Sequence, residues 1–426
     1  MDNSRRSGAS TGIASPPDDS TEPRYVPTST PELAERRAVA VRKRRRRRRV
    51  IIAGAILLLL SPAIYSYTTT MLKPSSLPLG VRSVEWLRTH HGNWLVDEVE
   101  RIYYSWNAPK KGGPQLKALP AVGLTPAGIA KKRAEPRTRA RAHAAVWPPR
   151  IKPVFSDALP GEGVWKVTGP PVDGGPPVLV TTFRTEVDYP QIVAYVAWFD
   201  HKRTALAFYP GRYEPPDAPV RGPMSVPYGQ RWRLLATFNG GFTHIDGNNG
   251  SSINGLQYEP LQDGLATLIG YRDGRVAIRT WHAGSNAGPS VAFARQSLPP
   301  IIENGRLNPN LNDGPQWGAT LGNAIRVWRT GVGIDRRGNL IYAAANYQTV
   351  TTLAQILQRA GAVQAMQLDI NPEWPSLISY EHHYGLVPTK VVPNVMQPAT
   401  RYLVPDDRDF FAVYRRVPGA ITVSFK

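Results

Sequence analysis

Hydrophobic and polar positions change their rhythm three times along the chain. From Val50 to Leu60 the residues are almost all apolar, and no charge appears between Val50 and Leu72. A run of that length predicts a helix able to cross a bilayer, with Thr68–Thr70 at its far interface. Between Ser83 and Trp106 the pattern turns amphipathic. Trp94, Leu95, Val99, Ile102 and Trp106 fall near helical spacing, and Gly92 separates them from an earlier turn. The spacing predicts a short helix packed on the domain or on itself, with an interfacial helix resting on lipid as the other reading of its Trp and Tyr content.

From Val164 onward β-branched and aromatic runs predict strands at Val178–Arg184, Ile192–Phe199, Thr204–Tyr209, Arg233–Phe238, Leu265–Tyr271 and Arg275–Trp281. Asp200–Arg203 reads as a hairpin turn between the second and third, and Arg272-Asp273-Gly274 as one between the last two. Near the end, Asn339–Ala344 reads as a strand, Thr349–Ala360 as a helix stopped by Gly361, and Val363–Leu368 as a strand delivering Asp369 at its end. That unit predicts a right-handed parallel crossover, with Asp369 where ligand-binding groups gather. The expected fold class is α+β, a mixed β-sheet domain with few helices and a βαβ unit near the C-terminus, preceded by a single transmembrane helix.

Composition sharpens this in two ways. The chain of 426 residues has no cysteine, which excludes disulfide scaffolds, thiolate metal sites and cysteine nucleophiles. Its net charge of +20 suggests nucleic acid until the charge is located. Residues 1–50 carry +7 and residues 67–160 carry +9, leaving +4 for residues 161–426. Arg42–Arg49 is an unbroken basic run directly before the apolar stretch, the arrangement of a positive-inside anchor. A cleaved export signal is the alternative, anionic-lipid contact is compatible, and nucleic acid is disfavoured. The expected organisation is a disordered basic cytoplasmic tail (1–49), a transmembrane helix (50–72), a basic Pro-rich stem (73–163) and an extracytoplasmic domain (164–426). The cluster Lys131–Arg133 with Arg137, Arg139 and Arg141 reads as a solvated basic linker or a contact for an anionic polymer or lipid.

Within the outer domain, Ala236-Thr237-Phe238-Asn239-Gly240-Gly241-Phe242 is followed by Arg329-Thr330-Gly331-Val332-Gly333-Ile334-Asp335 with Gly338, and then by Leu353–Asp369. This order resembles the phosphodiester glycosidase family, closest to its membrane-anchored actinobacterial members, in which Met366–Trp374 and Arg408–Val413 also look familiar. The resemblance covers roughly residues 164–418. It departs after Asp369, where a Gly-rich loop is usual and Ile370-Asn371-Pro372-Glu373-Trp374 stands instead, a bulkier and stiffer connection.

The resemblance implies hydrolysis of a sugar-1-phosphodiester, such as a phosphate-linked glycan of the cell envelope. A non-catalytic envelope glycan-binding or organising protein on the same fold is the alternative. Such a site needs a phosphate clamp and carboxyl groups. Arg329 is the candidate clamp, with a structural pair to Asp335 or Asp369 as its other reading. Asp369 and Glu373 are the candidate catalytic carboxyls, although Glu373 also suits an exposed loop. Asn239, Gly240, Gly241 and Asn371 are candidate substrate-binding residues, and Asn239-Gly240-Gly241 also reads as a tight strand-ending turn. His244, His382 and His383 match no zinc spacing, and Asp246–Gly250 lacks the ligand series of a calcium loop. No metal site or cofactor is assigned, and a divalent cation is left open.

Overall fold

The computed structural model describes residues 31–122, 147–216, 222–247, 249–312, 314–318 and 326–417. Two compact units are present, residues 1–68 and residues 69–426. The described part of the first is helical throughout, within α1 (Pro31–Leu72), whose last four residues belong to the second unit. Its segment Glu35–Leu72 is long and apolar enough to cross a membrane. Residues 31–49, expected within a disordered tail, are helical here, consistent with a stretch rich in Ala, Glu and Arg. The rest of that tail and the basic cluster at 131–141 lie outside the described residues.

The second unit carries three β-sheets. The largest runs in the order β1 (Lys166–Thr168), β2 (Val178–Arg184), β3 (Val193–Phe199), β14 (Leu340–Gln348), β13 (Val327–Asp335), β15 (Ala362–Gln367), β11 (Ile302–Glu303), β12 (Arg306–Leu307). A second holds β7 (Leu256–Glu259), β6 (Ser251–Ile253), β10 (Val291–Gln296), β8 (Ala266–Tyr271) and β9 (Val276–Thr280). The third runs β17 (Leu386–Lys390), β16 (Leu377–His382), β5 (Leu234–Asn239), β18 (Phe410–Arg415), β4 (Thr204–Tyr209). Helices are few: α2 (Leu79–Thr89), α3 (Asn93–Trp106), α4 (His244–Gly247) and α5 (Val350–Arg359). The α+β class predicted from the sequence is the observed one.

Two connections differ from expectation. β3 and β4 do not form a hairpin: β3 pairs with β2 and β14, while β4 pairs with β18 in another sheet. Both edges of β3 are already occupied, so the chain turns a corner at Asp200–Arg203. Arg203 and Thr204 donate their backbone N–H groups to Asp200 O at 3.0 and 2.9 Å to fix that corner. Likewise β14 and β15 run in the same direction but are not neighbours. β13 lies between them, antiparallel to both.

Burial follows the alternation of side chains along each strand. Along β14, Leu340, Tyr342 and Ala344 point into a core shared with Phe238, Phe293 and Phe411 of the other sheets. Ile341, Ala343 and Ala345 point the other way, beneath Leu353, Ile356 and Leu357 of α5. β3, Val193–Phe199, therefore reads as an unbroken apolar run because both of its faces are covered. Thr349 caps α5 in a reciprocal box with Thr352, and Gly361 ends it with φ +103°. Gly331 and Gly333 of β13 make room for this packing. A Cβ at Gly331 would lie 2.9 Å from Met366 O, and one at Gly333 would lie 2.6 Å from Ala362 Cβ.

The Pro-rich stretch has no helix or strand in its described parts, residues 107–122 and 147–163, as its prolines dictate. It packs onto the domain all the same. Val122 joins the main core and Ile151 the α5 side. Glu162 forms a fully enclosed two-pronged pair with Arg184 of β2, at 3.1 and 2.9 Å.

Candidate active site

Asp369 is placed by the ends of two sheets. Where β15 stops, Leu368 N–H still donates to Thr330 O of β13 at 2.8 Å. One residue later, Asp369 N–H donates to Gly240 O at 3.3 Å, just past β5. Asn239 fastens the same junction: its Nδ2 donates to Thr330 Oγ1 and Gly240 O, and its Oδ1 accepts from Tyr342 OH and Ser376 N–H. Both polar ends of Asn239 are satisfied within the protein, so its side chain braces the site. Gly240 allows Asp409 to approach, because a Cβ there would lie 2.2 Å from Asp409 Oδ1.

The side chain of Asp369 is 7% exposed. Its Oδ1 accepts Asn371 N–H at 3.0 Å, and its Oδ2 accepts Arg408 Nη2 at 2.5 Å. Burial pushes its carboxyl up to about 6 against the opposing pull of Arg408. Asn371 turns the following loop, its Oδ1 accepting Glu373 N–H and its backbone oxygen Trp374 N–H. Glu373, pushed up to about 7 by burial and then by Glu85, has a buried Oε2 without a hydrogen-bond partner.

Arg329 does not join these groups. It is 2% exposed, donates to Gln348 O, Gln367 Oε1 and Trp317 O, and among the described residues has no carboxylate partner. Burial lowers its guanidinium to about 10. It braces β13 against β14 and β15. Asp335, its expected alternative partner, instead receives Trp198 Nε1 and Asn339 Nδ2.

The cation beside Asp369 is Arg408, in the run Asp406-Asp407-Arg408-Asp409 that leads into β18. Each member of the run is committed. Asp406 holds Arg401 through two oxygens at 2.8 and 3.1 Å. Asp407 takes Arg212 and Ser75. Asp409 pairs with the buried Arg295 at 2.5 Å. Arg408 and Arg401 both lie over Trp374, at 4.7 and 5.2 Å from its ring centre. Burial works against the charge of Arg408, yet Asp369, Glu214 and Asp409 prevail and hold it as a cation.

A cleft of about 320 Å³ opens onto Arg408 and Trp374, joined there by Tyr213, Glu214 and Thr243, with residues 70–89 as its other wall. Glu214 accepts His244 N–H at 2.9 Å and lies 3.6 Å from Arg295. Burial pushes it up to about 7, although Arg295 and Arg408 pull it down. In its lining, Arg408 Nε and Trp374 Nε1 are buried without hydrogen-bond partners, as are Asp409 Oδ1 and Glu373 Oε2 of their chain neighbours. A polar ligand can satisfy such atoms. A larger cleft of about 570 Å³ lies elsewhere, beside Lys202, Arg337 and Arg416. The carboxylate in its lining, Asp273, is bound to Arg275. Among the described residues no three His, Asp or Glu side chains converge to hold a metal ion.

Sequence reasoning thus missed Arg408, Glu214, Arg295 and Asp409. The familiar run Arg408–Val413 was the available signal for two of them. Gly241 contributes its carbonyl to Arg408 at 3.5 Å.

Residues 233–369 match the model of the phosphodiester glycosidase family. Among solved structures, the chain is similar to the zebrafish N-acetylglucosamine-1-phosphodiester α-N-acetylglucosaminidase catalytic domain auto-inhibited by pro-peptide. The identity is 13%, covering 59% of this chain and 88% of that one, with a TM-score of 0.39. It is also similar to a Synechocystis protein at 14% identity, covering 58% of this chain and 64% of that one, with a TM-score of 0.35. No curated protein matches the chain. Glu214 and Arg408 fall outside the matched segment.

Proposed function

Taking residues 233–369 as a phosphodiester glycosidase domain, we propose that the chain hydrolyses a sugar-1-phosphodiester of the cell envelope in the cleft of Arg408, Trp374 and Glu214. The observation that carries this reading is Arg408 at the cleft wall, paired with Asp369, with Glu214 in the same lining as a second carboxyl acting on its guanidinium. A guanidinium fork suits phosphate oxygens, and a phosphodiester anion can replace one of its carboxylate contacts. Water bonds to the anomeric carbon through its oxygen as the bond from that carbon to the phosphate oxygen breaks. Glu214 accepts the water proton, Arg408 balances the departing phosphomonoester, and Asp369 orients Arg408 and offers a second carboxylate near the anomeric carbon. Glu373 adds a titratable carboxyl at the same loop, and Asn371 fixes that loop around Asp369. Asn239, Gly240 and Gly241 support the sugar side through the backbone they position.

The basic run Arg42–Arg49 directly before the apolar stretch supports an orientation with the N-terminus in the cytoplasm and this domain outside the membrane. The test uses the full chain in detergent with an alkyl glycosyl-1-phosphodiester. Free sugar and phosphomonoester should appear in equal amounts, and Arg408→Ala and Asp369→Asn should strongly reduce both. Absence of turnover with retained binding of a phosphate-linked glycan would establish the non-catalytic alternative instead.

A further inference from the structure

The helical hairpin α2–α3 explains which form of phosphodiester the cleft would meet, on the reading of the site just given. α3 has three rows. Val96 and Tyr104 are buried, and Glu100 in the same row pairs with Arg88 of α2. Glu98 and Arg101 form an exposed ion pair. The third row, Leu95, Val99, Ile102 and Trp106, with Tyr103 beside it, is apolar and exposed, Trp106 being 84% accessible, while Trp94, 72% accessible, heads the row of Glu98 and Arg101. An open apolar stripe ending in one tryptophan, with a second exposed tryptophan on the next row, has the composition of a membrane-interface anchor.

The chain itself says what covers it. The uncharged run ends at Leu72, and α2 begins at Leu79. Arg82 of α2 donates Nη2 to Lys73 O at 2.8 Å and to Thr70 O, so the hairpin is fastened to residues 70–73, where that run ends. Those residues also build the cleft: Thr70 and Lys73 line it, together with Glu85 and Trp86 of α2, opposite Arg408. Ser75 and Ser76 bind Asp407, one residue from Arg408.

We infer that α3 rests on the bilayer interface and that the substrate is membrane-carried, a sugar joined through a phosphodiester to a lipid chain. The headgroup phosphate of such a lipid lies at the level where the uncharged run gives way to Lys73. Hydrolysis adds the oxygen of water to the anomeric carbon and leaves a lipid phosphomonoester in the membrane.

The experiment reconstitutes the full chain in vesicles of phosphatidylcholine and phosphatidylglycerol. It compares a glycosyl phosphodiester of a long-chain lipid with the methyl phosphodiester of the same sugar. Turnover of the lipid form should exceed that of the soluble form by about tenfold or more, because both partners share one surface. Trp94→Ser with Trp106→Ser should remove that advantage and leave the soluble rate unchanged. In parallel, Val99→Cys supplies the sole thiol of a cysteine-free chain for an environment-sensitive fluorophore. Nitroxide lipids in the vesicle should quench it. Equal or faster turnover of the soluble form, or an unquenched probe, overturns the inference while the hydrolase reading stands. Turnover of neither substrate overturns both.

Discussion

Arg408 and Asp369 meet across two sheets. Asp369 follows β15 of the large sheet, Arg408 precedes β18 of the third, and their side chains pair at 2.5 Å. The pair therefore reports whether the sheet ends are correctly joined, and it places a cation at the cleft wall. Arg408→Ala should lower kcat/KM for a sugar-1-phosphodiester by roughly 10²–10³-fold, the range for losing one preorganised charge-stabilising donor. Arg408→Lys should restore only part of it, since an ammonium has neither the fork nor the flat face that covers Trp374. Steady-state kinetics on both variants checks this.

The pH dependence of turnover should single out Glu214. As the acceptor of the water proton it must be ionised, and its carboxyl is pushed up to about 7 by burial. Activity should therefore rise with pH through about 7. Glu214→Gln should lower kcat by about 10²–10⁴-fold and flatten that limb in the residual rate. A limb near 7 that survives in Glu214→Gln assigns the base elsewhere.

Glu373 yields a stability prediction of defined sign. Its carboxyl stands at about 7 in the folded chain against 4.5 for a free one, so the folded state holds the proton more tightly. Its contribution is greatest at low pH and is lost as pH rises from about 4.5 to about 7. Wild type should lose more thermal stability than Glu373→Gln on moving from pH 5 to pH 8, by about 1–3 °C in Tm. Paired melting curves at the two pH values measure it.

The neighbouring glycines should behave unequally. A methyl group at Gly240 meets Asp409 Oδ1 at 2.2 Å, and Asp409 is pinned by Arg295, so Gly240→Ala should cost about 1–3 kcal/mol. At Gly241 the nearest atom is Gln296 O at 3.3 Å, and the same change should be much milder. Chemical denaturation of both variants separates them.

Much of the scaffold was legible because it is written locally. β2, β4 and β8 appear where unbroken apolar runs place them, and α5 begins at the Thr349 cap and stops at Gly361. Asp369 was legible as the residue after an apolar strand. What stayed hidden depends on partners far apart in sequence. Arg408 lies 39 residues from Asp369, and Arg295 lies 114 from Asp409. Glu214 sits in Tyr213-Glu214-Pro215-Pro216, which reads as ordinary loop. Arg329 was misleading for the complementary reason: its guanidinium has the fork that suits phosphate oxygens, and only the packing of β14 and β15 shows its donors given to Gln348 O and Gln367 Oε1.

The corner at Asp200–Arg203 sets the order in which this molecule can be completed. Because β4 leaves β3 for a different sheet, its partner is β18, and the Tyr209 and Tyr414 hydroxyls that meet across them are 205 residues apart. At ribosomal speed those residues take roughly 10–40 s to emerge. Throughout that interval β4 has no strand to pair with and the cleft has no Arg408. A nascent chain can complete the large sheet once β15 has emerged, but it stays without its phosphate-facing cation until β18 approaches, so a truncation before residue 408 removes the site even where most of the domain is present.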